Sequence, residues 1–294
     1  MSRHVLVTGG AGFIGSHVTD AYLERGWRVT VVDDLSTGDR SNLDPRAEFI
    51  EADIRDVNLG AIRPDVISHH AAQMDVRRSV ADPLFDAEVN ILGSLRLLQQ
   101  AAGIGVRRFV FASTGGAIYG EPRFAPQTEE HPADPLSPYG CAKLSVEHYL
   151  HYFRDVHGLS TVALRYANVY GPRQNSKGEA GVIAIFIGRK LRRETAVING
   201  DGQQTRDYTF VRDVVAANMQ VTESADAGPF NVGTGVETSV NMIAALLGVS
   251  ATHGPAKAGE QRRSVLDGSK IGIRYTPLQE GLRETVAWFE RAKR

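Results

Sequence analysis

Short apolar runs alternate with helical patterns through the first part of the chain. The runs predict strands at Val5–Thr8, Arg28–Val32, Glu48–Glu51, Val66–His69, Arg108–Ser113 and Thr161–Tyr166. Helical periodicity predicts helices from Phe13 to about Arg25, from about Pro83 to Ala102, and from Pro138 to about His157. The second helix carries one apolar face, made of Val89, Leu92, Leu95 and Leu98. Because alternating strands and helices are joined by crossovers, we predict an α/β fold with a doubly wound parallel sheet.

The alternation becomes less regular beyond Gly171-Pro172. The patterns there predict a helix near Val182–Arg193, a strand at Ala196–Ile198, a helix after Arg212, a strand near Phe230–Val232, and helices near Val240–Leu247 and Gln279–Lys293. We interpret residues 172–294 mainly as a smaller C-terminal α/β lobe that binds substrate. A segment at about 207–235 is expected to return to the domain formed by residues 1–171.

A glycine-rich turn separates the first predicted strand from the first helix. Gly9, Gly12 and Gly15 have the spacing at which one glycine makes a tight turn, one admits a pyrophosphate, and one lets the helix pack on its strand. The second strand ends at Asp33, about 20 residues later, where a carboxylate binds the ribose diol of NAD and repels the extra phosphate of NADP. We therefore predict that residues 1–171 form a Rossmann domain that binds NAD.

A tyrosine and a lysine share one face of the helix that begins at Pro138. Tyr139 and Lys143 are four residues apart, and the nearby ammonium is expected to lower the pKa of the phenol from about 10 toward neutrality. Such a tyrosine can exchange a proton with a sugar hydroxyl near pH 7. Ser113 and Thr114 end the preceding strand, where hydroxyls of a parallel sheet face a ligand crevice, although plain strand-end caps would look the same.

Bulk composition narrows the function classes. The chain has 294 residues, 42% of them hydrophobic, and a net charge of −1, which supports a large core and indicates neither a nucleic-acid partner nor a membrane surface. Cys141 is the only cysteine, so no disulfide or thiolate cluster is expected within one chain. This cysteine usage predicts a cytoplasmic location. His69 and His70 are adjacent on a predicted strand and point to opposite faces, so we expect no metal site.

Together these motifs resemble the extended short-chain dehydrogenase/reductase superfamily, and within it the nucleotide-sugar epimerases and dehydratases. The resemblance covers nearly the whole chain and is greatest to bacterial UDP-glucose 4-epimerases, in which Ser-Thr-Gly-Gly-Ala-Ile-Tyr-Gly and Gly-Glu-Ala-Gly-Val also occur. The motifs that carry it are Thr8–His17, Asp53-Ile54, His70-Ala71-Ala72, Asn90, Ser113-Thr114, Tyr119-Gly120, Ser137–Tyr139 with Lys143, Arg165–Pro172, and Arg206–Tyr208.

The resemblance implies roles for the residues of the first part. Tyr139 would be the catalytic base, and Lys143 would also hold the nicotinamide ribose. Thr114 would bridge the sugar O4 and the tyrosine, with Ser113 supporting it. The implied NAD contacts, besides Ser113, Tyr139 and Lys143, are Gly9, Gly12, Phe13, Ile14, Gly15, Asp33, Asp34, Asp53, Ile54, Ala71, Ala72 and Asn90.

Two residues are implied to hold the diphosphate of the nucleotide sugar. Asn168 would contact it, and Arg206 would clamp a phosphate. The sequence leaves a surface ion pair of Arg206 with Asp207 or Asp213 as the alternative.

Four residues near the C-terminus are implied to complete the substrate site. Lys257 and Glu260 take the places where the family often has the Arg and Asp that grip phosphate and uridine ribose, and Arg263 is a nearby cation. Ser264 falls where a bulky tyrosine excludes N-acetyl groups in the family. The small side chain therefore implies that both UDP-galactose and UDP-N-acetylgalactosamine are accepted.

The activity implied by the resemblance is NAD-dependent epimerisation at C4 of a UDP-hexose through a transient 4-keto intermediate. Gly115-Gly116 stand where 4,6-dehydratases usually have Asp-Glu, which disfavours dehydration. Three alternatives stay open. The first is a UDP-glucuronate 4-epimerase or decarboxylase, for which Arg77 and Arg78 could bind the carboxylate. The second is another nucleotide-sugar epimerase, and the third is a non-enzymatic dinucleotide-sensing protein.

The family also implies a homodimer through the helices near Pro83–Ala102 and Pro138–His157, although core packing explains their apolar stripes equally well.

Overall fold

The computed structural model describes residues 3–176, 181–256 and 261–292. The chain divides into two compact units. The first comprises Met1–Ile118, Pro135–Arg165 and Val215–Phe230, and the second comprises Tyr119–Asp134, Tyr166–Val214 and Asn231–Arg294. The assignment of residues 1–171 to NAD and of residues 172–294 mainly to substrate stays a prediction.

The helices and strands follow the predicted order, and most shared boundaries agree within about two residues. The strands are β1 (His4–Thr8), β2 (Arg28–Asp33), β3 (Glu48–Glu51), β4 (Val66–His69), β5 (Arg108–Thr114), β6 (Thr161–Tyr166), β7 (Asn168–Tyr170), β8 (Ala196–Asn199), β9 (Thr205–Phe210), β10 (Gly228–Val232), β11 (Glu237–Ser239) and β12 (Ala251–Gly254). The helices are α1 (Phe13–Glu24), α2 (Leu59–Ile62), α3 (Val76–Ala81), α4 (Pro83–Ala87), α5 (Ser94–Ile104), α6 (Gly115–Ile118), α7 (Pro138–His157), α8 (Val182–Leu191), α9 (Val211–Glu223), α10 (Val240–Leu247) and α11 (Leu278–Ala292).

Seven strands form the central sheet in the order β10-β6-β5-β4-β1-β2-β3. The strands from β3 to β5 pair in parallel, and Val5 of β1 lies between Val29 of β2 and Val66 of β4. The chain builds outward from β1 to β3 and then returns to the other side of β1, so the strand order reverses between β1 and β4. Ligands of such sheets bind at the carboxyl ends of the strands beside this reversal. The predicted doubly wound α/β fold is confirmed.

Each face of this sheet carries its own apolar core, because successive side chains of a strand point to opposite faces. On one face, Leu6, Ile67 and Phe109 pack with side chains of α5 and α7. On the other face, Val5 and Val7 pack with side chains of α1 and with Met219 of α9. The helices therefore cover both faces, and the sheet positions the residues at its carboxyl edge on a rigid base.

Helix α7, which carries the predicted catalytic pair, has strong start and stop signals. The Ser137 hydroxyl accepts a hydrogen bond from the Gly140 amide, and Pro138 occupies the first helical position. Gly158 ends the helix in the left-handed conformation, with φ at 69°. These local signals explain why the helix has the bounds that the sequence predicts.

The predicted helix from Pro83 to Ala102 is interrupted, and its predicted apolar face is partly wrong. Helices α4 and α5 are joined by a π-helical turn, Glu88–Gly93, and Leu92 is 49% exposed. The first part of this helix buries a polar face instead, from which Asn90 exchanges hydrogen bonds with the backbone of Gln73 in the segment after β4. The buried polar residues of this face are Asp86, Asn90 and Ser94.

The second unit contains two small sheets. One has the order β11-β9-β7, in which β9 pairs antiparallel with β11 and parallel with β7. The other joins β8 and β12 in parallel. Within the described ranges, no helix is long and apolar enough to cross a bilayer.

Candidate active site

The turn between β1 and α1 packs too closely for side chains at two of its glycines. Gly9 has φ at +67°, and a Cβ there would lie 2.5 Å from the backbone nitrogen of Ala71. A Cβ at Gly15 would overlap the carbonyl oxygen of Gly9. Helix α1 begins after Gly12 without a side-chain cap, and a Cβ at Gly12 would meet only that same carbonyl oxygen. The space beside Gly12 at the uncapped start of α1 is otherwise open, which fits a pyrophosphate.

Asp33 ends β2 beside this turn. Its carboxylate accepts hydrogen bonds from the Ala11 amide at 3.0 Å and the Leu35 amide at 2.9 Å, and burial raises its pKa. The side chain therefore holds the turn and stands where the sequence predicted a ribose contact. The exposed Asp34 carboxylate instead accepts hydrogen bonds from Ser36 in its own loop.

Asp53, Ile54, Ala71 and Ala72, four of the remaining predicted NAD contacts, follow the neighbouring strands. Asp53, after β3, forms a bidentate pair with Arg55, with 2.7 Å between Oδ2 and Nη2. Ile54 is buried in the core beneath it. Ala71, after β4, donates its amide to the Thr8 hydroxyl at 3.3 Å. The structure thus places the predicted contacts at the carboxyl ends of β1 to β4, where a dinucleotide binds in this class of sheet.

Lys143 lies on the buried face of α7 near the end of β5. Its Nζ donates a hydrogen bond to the Ala112 carbonyl at 2.9 Å and lies 5.8 Å from the centre of the Tyr139 ring. Burial lowers the pKa of Lys143 to about 8, while the negative charges of Asp86 and Glu147 act in the opposite direction. Tyr139 and Lys143 therefore share one face of α7, as the sequence predicts.

The expected lowering of the tyrosine pKa is wrong for the protein alone. Burial, followed by the negative charge of Asp86, raises the pKa of Tyr139 above its usual value. The ammonium of Lys143 is directed at the Ala112 carbonyl and does not offset this loss of solvation. In the protein alone, Lys143 therefore does not bring the pKa of this phenol below its usual value.

The two hydroxyls at the end of β5 have different surroundings. Ser113 Oγ donates to Glu147 Oε1 of α7 at 2.6 Å. Thr114 is the next residue, points to the opposite face of the strand and is half-buried. The Ser113 hydroxyl is committed to Glu147, which leaves Thr114 as the member of the pair that can face a ligand.

Sequence reasoning missed two buried carboxylates near this pair. Asp86 is 1% exposed, and its Oδ1 accepts hydrogen bonds from Gln73 Nε2 and Asn90 Nδ2, both at 2.9 Å. The Asn90 amide is thus used to bind the segment after β4. Glu147 lies one turn beyond Lys143 on α7, and this four-residue spacing was the signal that could have identified it.

The two adjacent histidines of β4 are hydrogen-bonded to hydroxyls. His69 is bonded to Thr8 at 2.6 Å and to Ser94 at 3.0 Å, and His70 is bonded to Ser68 at 2.9 Å. In the part of the chain that the structure describes, no group of three or more His, Cys, Asp or Glu side chains could hold a metal ion.

In the second unit, Asn168 and Arg206 lie on one face of the sheet formed by β7 and β9. Asn168 is exposed and pairs with Tyr208, which is two residues from Arg206 on β9. The Arg206 guanidinium donates to the carbonyl oxygens of Thr205 and Gln261, each at 2.8 Å. The alternative ion pair is wrong, since the carboxylates of Asp207 and Asp213 bind other groups.

The predicted C-terminal contacts are only partly described. Arg263 forms a bidentate pair with Glu237, at 2.9 and 2.7 Å, so Glu237 neutralises its charge. Ser264 is 1% exposed, and its hydroxyl lacks a hydrogen-bond partner among the described residues. Lys257 and Glu260 lie outside the described residues.

Comparison with known proteins agrees with this geometry. The family model for the NAD dependent epimerase/dehydratase family matches residues 5–233. The chain is similar to a UDP-glucose 4-epimerase from Thermotoga maritima solved with UDP-glucose, with 45% identity and a TM-score of 0.96 over 99% of this chain and 100% of that one. It is also similar to the Thermus thermophilus UDP-glucose 4-epimerase solved with NAD, with 43% identity and a TM-score of 0.93 over 98% and 99% of the two chains.

A third solved structure has a different named substrate. The UDP-N-acetylglucosamine 4-epimerase from Methanobrevibacter ruminantium, in complex with UDP-N-acetylmuramic acid, is 36% identical, with a TM-score of 0.95 over 99% of each chain. The family match covers the glycine turn, the hydroxyls of β5 and the Tyr139–Lys143 pair. The chain therefore belongs to the NAD dependent epimerase/dehydratase family.

Proposed function

We propose that this protein epimerises C4 of a UDP-hexose, interconverting UDP-glucose and UDP-galactose through a 4-keto intermediate. The observation that carries the proposal is the arrangement at the end of β5. Tyr139 and Lys143 share one face of α7 there, and Thr114 has a hydroxyl that can face a ligand, in the same unit as the glycine turn. The similarity to proteins named UDP-glucose 4-epimerase supports the same substrate class.

The first unit fits NAD through its glycine turn and the acid that follows β2. We propose that the amides at the start of α1 hold the pyrophosphate, that Asp33 holds the adenosine ribose, and that Lys143 holds the nicotinamide ribose. When bound there, NAD⁺ would supply a reversible hydride acceptor for the sugar C4 and a positive charge that favours a phenolate. That charge would act against the raised pKa of Tyr139 in the protein alone.

The side chains of this chain would then move one proton and hold one diphosphate. Tyr139, as phenolate, takes the proton of the sugar O4-hydroxyl, and Thr114 orients that hydroxyl by hydrogen bonding. Asn168 and Arg206 bind the diphosphate. The guanidinium of Arg206 is held by two carbonyl oxygens, which fix its place and leave its positive charge for the phosphates. A firm grip on the nucleotide leaves the flat ketose free to turn.

A panel of UDP-, dTDP-, GDP- and CDP-sugars, incubated without added cofactor, tests the activity. Chromatography with mass detection should give a product of unchanged mass from UDP-galactose. Loss of carbon dioxide from UDP-glucuronate would instead favour the decarboxylase. Arg78, an expected ligand of the carboxylate in that enzyme, has its Cζ 4.1 Å from the centre of the Phe85 ring. Conversion of any sugar also separates the enzyme from the dinucleotide-sensing alternative.

Two substitutions test the assigned roles. Tyr139→Phe and Thr114→Val should each lower turnover by at least about a hundredfold, the usual scale for a positioned proton-transfer group. Tyr149→Phe is the matched control, because Tyr149 is on the same helix and is 40% exposed. Near-normal turnover of Tyr139→Phe would contradict its role as the base.

We also propose that two copies associate through α4, α7 and the π-helical turn. These elements leave large apolar side chains uncovered, namely Leu84, Leu92, Tyr152 and Val156, which are 77%, 49%, 47% and 62% exposed. Such a surface is typical of an interface. Light scattering should give twice the mass of one chain, and Val156→Glu should shift the protein toward the monomer. A monomeric parent protein would contradict the proposal.

A cytoplasmic location is proposed on the single cysteine, since Cys141 is an exposed free thiol. Cell fractionation would test it, and recovery of the protein outside the cytoplasm would contradict it.

A further inference from the structure

A buried ion pair connects three elements beside the proposed catalytic pair. The Glu147 carboxylate of α7 binds Arg165 of β6, with 2.6 Å between Oε2 and Nη2 and 3.0 Å between Oε1 and Nε, and both side chains are only 8% exposed. The same carboxylate accepts the hydrogen bond of Ser113 from β5 at 2.6 Å. Buried ion pairs contribute little net stability compared with apolar residues of similar volume. A role in fixing geometry accounts for this pair better.

Glu147 continues the row formed by Tyr139 and Lys143 along α7. The three residues are spaced four apart, so phenol, ammonium and carboxylate follow one another on one helix face. The ammonium binds the Ala112 carbonyl, and the carboxylate binds the hydroxyl of the next residue, Ser113. Helix α7 is therefore attached to the end of β5 at two points about one helical turn apart.

Two attachments restrict the helix more than one does. The apolar core already holds α7 on the sheet, and the Lys143 hydrogen bond fixes one point of the helix against β5. A second bond one turn away further restricts small rotations and shifts of the helix at its polar face. Arg165 anchors the second attachment to β6, so Glu147 itself cannot change rotamer freely. The phenol of Tyr139, one turn toward the helix start, is thereby held at a constant position relative to Thr114. Misplacement by about 1 Å can cost a hundredfold in rate.

We propose that Glu147, held by Arg165, is a positioning residue that fixes the Tyr139 phenol and the Lys143 ammonium against the end of β5. This inference rests on the proposed function, since it assigns the phenol its catalytic task. It goes beyond that function because neither Glu147 nor Arg165 touches the reacting atoms.

The test replaces the pair as a whole, because removing one partner would leave a buried charge and could unfold the protein. The double variant Glu147→Met/Arg165→Met keeps the side-chain volume and removes both charges. Ser113→Ala removes only the hydrogen bond between β5 and the Glu147 carboxylate. Arg28→Met/Glu48→Met is the matched control, because that pair starts β2 and β3 at the opposite end of the sheet and is exposed.

For UDP-galactose we expect kcat of the double variant to fall by at least about tenfold, with KM, bound NAD and Tm close to those of the parent. Ser113→Ala should reproduce most of this loss, and the control pair should show none. A purely structural role predicts instead that kcat is retained wherever Tm is retained. A double variant with parental kcat would overturn the proposal.

A second measurement keeps this proposal separate from the proposed function. The ultraviolet absorbance of tyrosinate, taken as the difference from the same protein carrying Tyr139→Phe, reports the pKa of this phenol without any turnover. Asp86 of α4 acts on this phenol, and Asp86 and Glu147 act on Lys143, whose charge in turn lowers the pKa of the buried His69 and His70 of β4. Of the two carboxylates, the double variant removes only Glu147. A shift of at least about half a pH unit is expected if the phenol is displaced. An unchanged phenol pKa would overturn the positioning role, even if no sugar were converted.

Discussion

Adding one methyl group at Gly15 should disrupt the turn that we propose for NAD. The Cβ of Gly15→Ala would overlap the Gly9 carbonyl oxygen and lie 2.8 Å from the Gly9 carbonyl carbon and 3.0 Å from the Gly10 Cα. All three are backbone atoms, so no side chain can rotate away. The turn or the start of α1 must move, at a cost of about 1–3 kcal/mol for an overpacked site.

The size of the effect on stability follows from the length of the chain. For a protein of this size, 1 kcal/mol lowers Tm by about 2–4 °C, so we expect Gly15→Ala to melt about 2–12 °C lower. The same movement displaces the first amides of α1 from the pyrophosphate. A lost hydrogen bond to a charged group is worth about 1.5–3 kcal/mol, which predicts NAD⁺ affinity weakened by about ten- to 150-fold.

The matched control is Gly103→Ala in α5. A Cβ there meets nothing within 4 Å, so this substitution should stabilise the helix by about 0.5–1 kcal/mol and leave NAD⁺ affinity unchanged. Thermal melting with and without NAD⁺, together with calorimetric titration of NAD-free protein, measures both quantities. If Gly15→Ala keeps the parental Tm and NAD⁺ affinity, the close packing of this turn does not form the NAD site.

Two further predictions concern pH dependence and substrate choice. The pKa of Lys143 is about 8, so the ammonium is charged below that pH and neutral above it, and kcat/KM should fall above about pH 8. Asp86→Asn removes a charge that favours the ammonium and should move this alkaline limb to lower pH; an unmoved limb would contradict the coupling. The parent should convert UDP-N-acetylgalactosamine as well as UDP-galactose, and Ser264→Ala, which keeps the side chain small at this buried position, should retain both activities. A parent that rejects the acetylated sugar would rule out the assignment of Ser264.

The sequence predicts those parts of the fold that have long regular patterns. Alternating apolar runs gave the strands from β1 to β6, and the Ser137-Pro138 and Gly158 signals gave both ends of α7. Most elements without a prediction are short: α2, α3 and α6 have four to six residues, β12 has four, and β7 and β11 have three. The six-residue strand β9 was also not predicted. Periodicity needs several turns or pleats before it can be recognised. Their pairing with distant segments is what makes these short pieces regular.

The polar part of the site is harder to derive from sequence. The spacing of Tyr139 and Lys143 correctly gives one helix face, but the direction of the tyrosine pKa depends on desolvation, which spacing does not contain. Likewise no sequence pattern indicates that Glu147 and Asp86 are buried, although the four-residue spacing places Glu147 on the helix face of Lys143. They are buried only because Arg165 in one case, and Gln73 and Asn90 in the other, come from distant parts of the chain.

The interleaving of the two units also affects how the protein is made. The first unit draws its last stretch from Val215–Phe230, and the neighbour of β6 in the central sheet, β10, is among the last strands to leave the ribosome. Until then β6 is an unpaired edge strand, and such edges recruit strands of other chains. A nascent chain interrupted before residue 228 would therefore be a candidate for chaperone binding or aggregation rather than a shorter working enzyme.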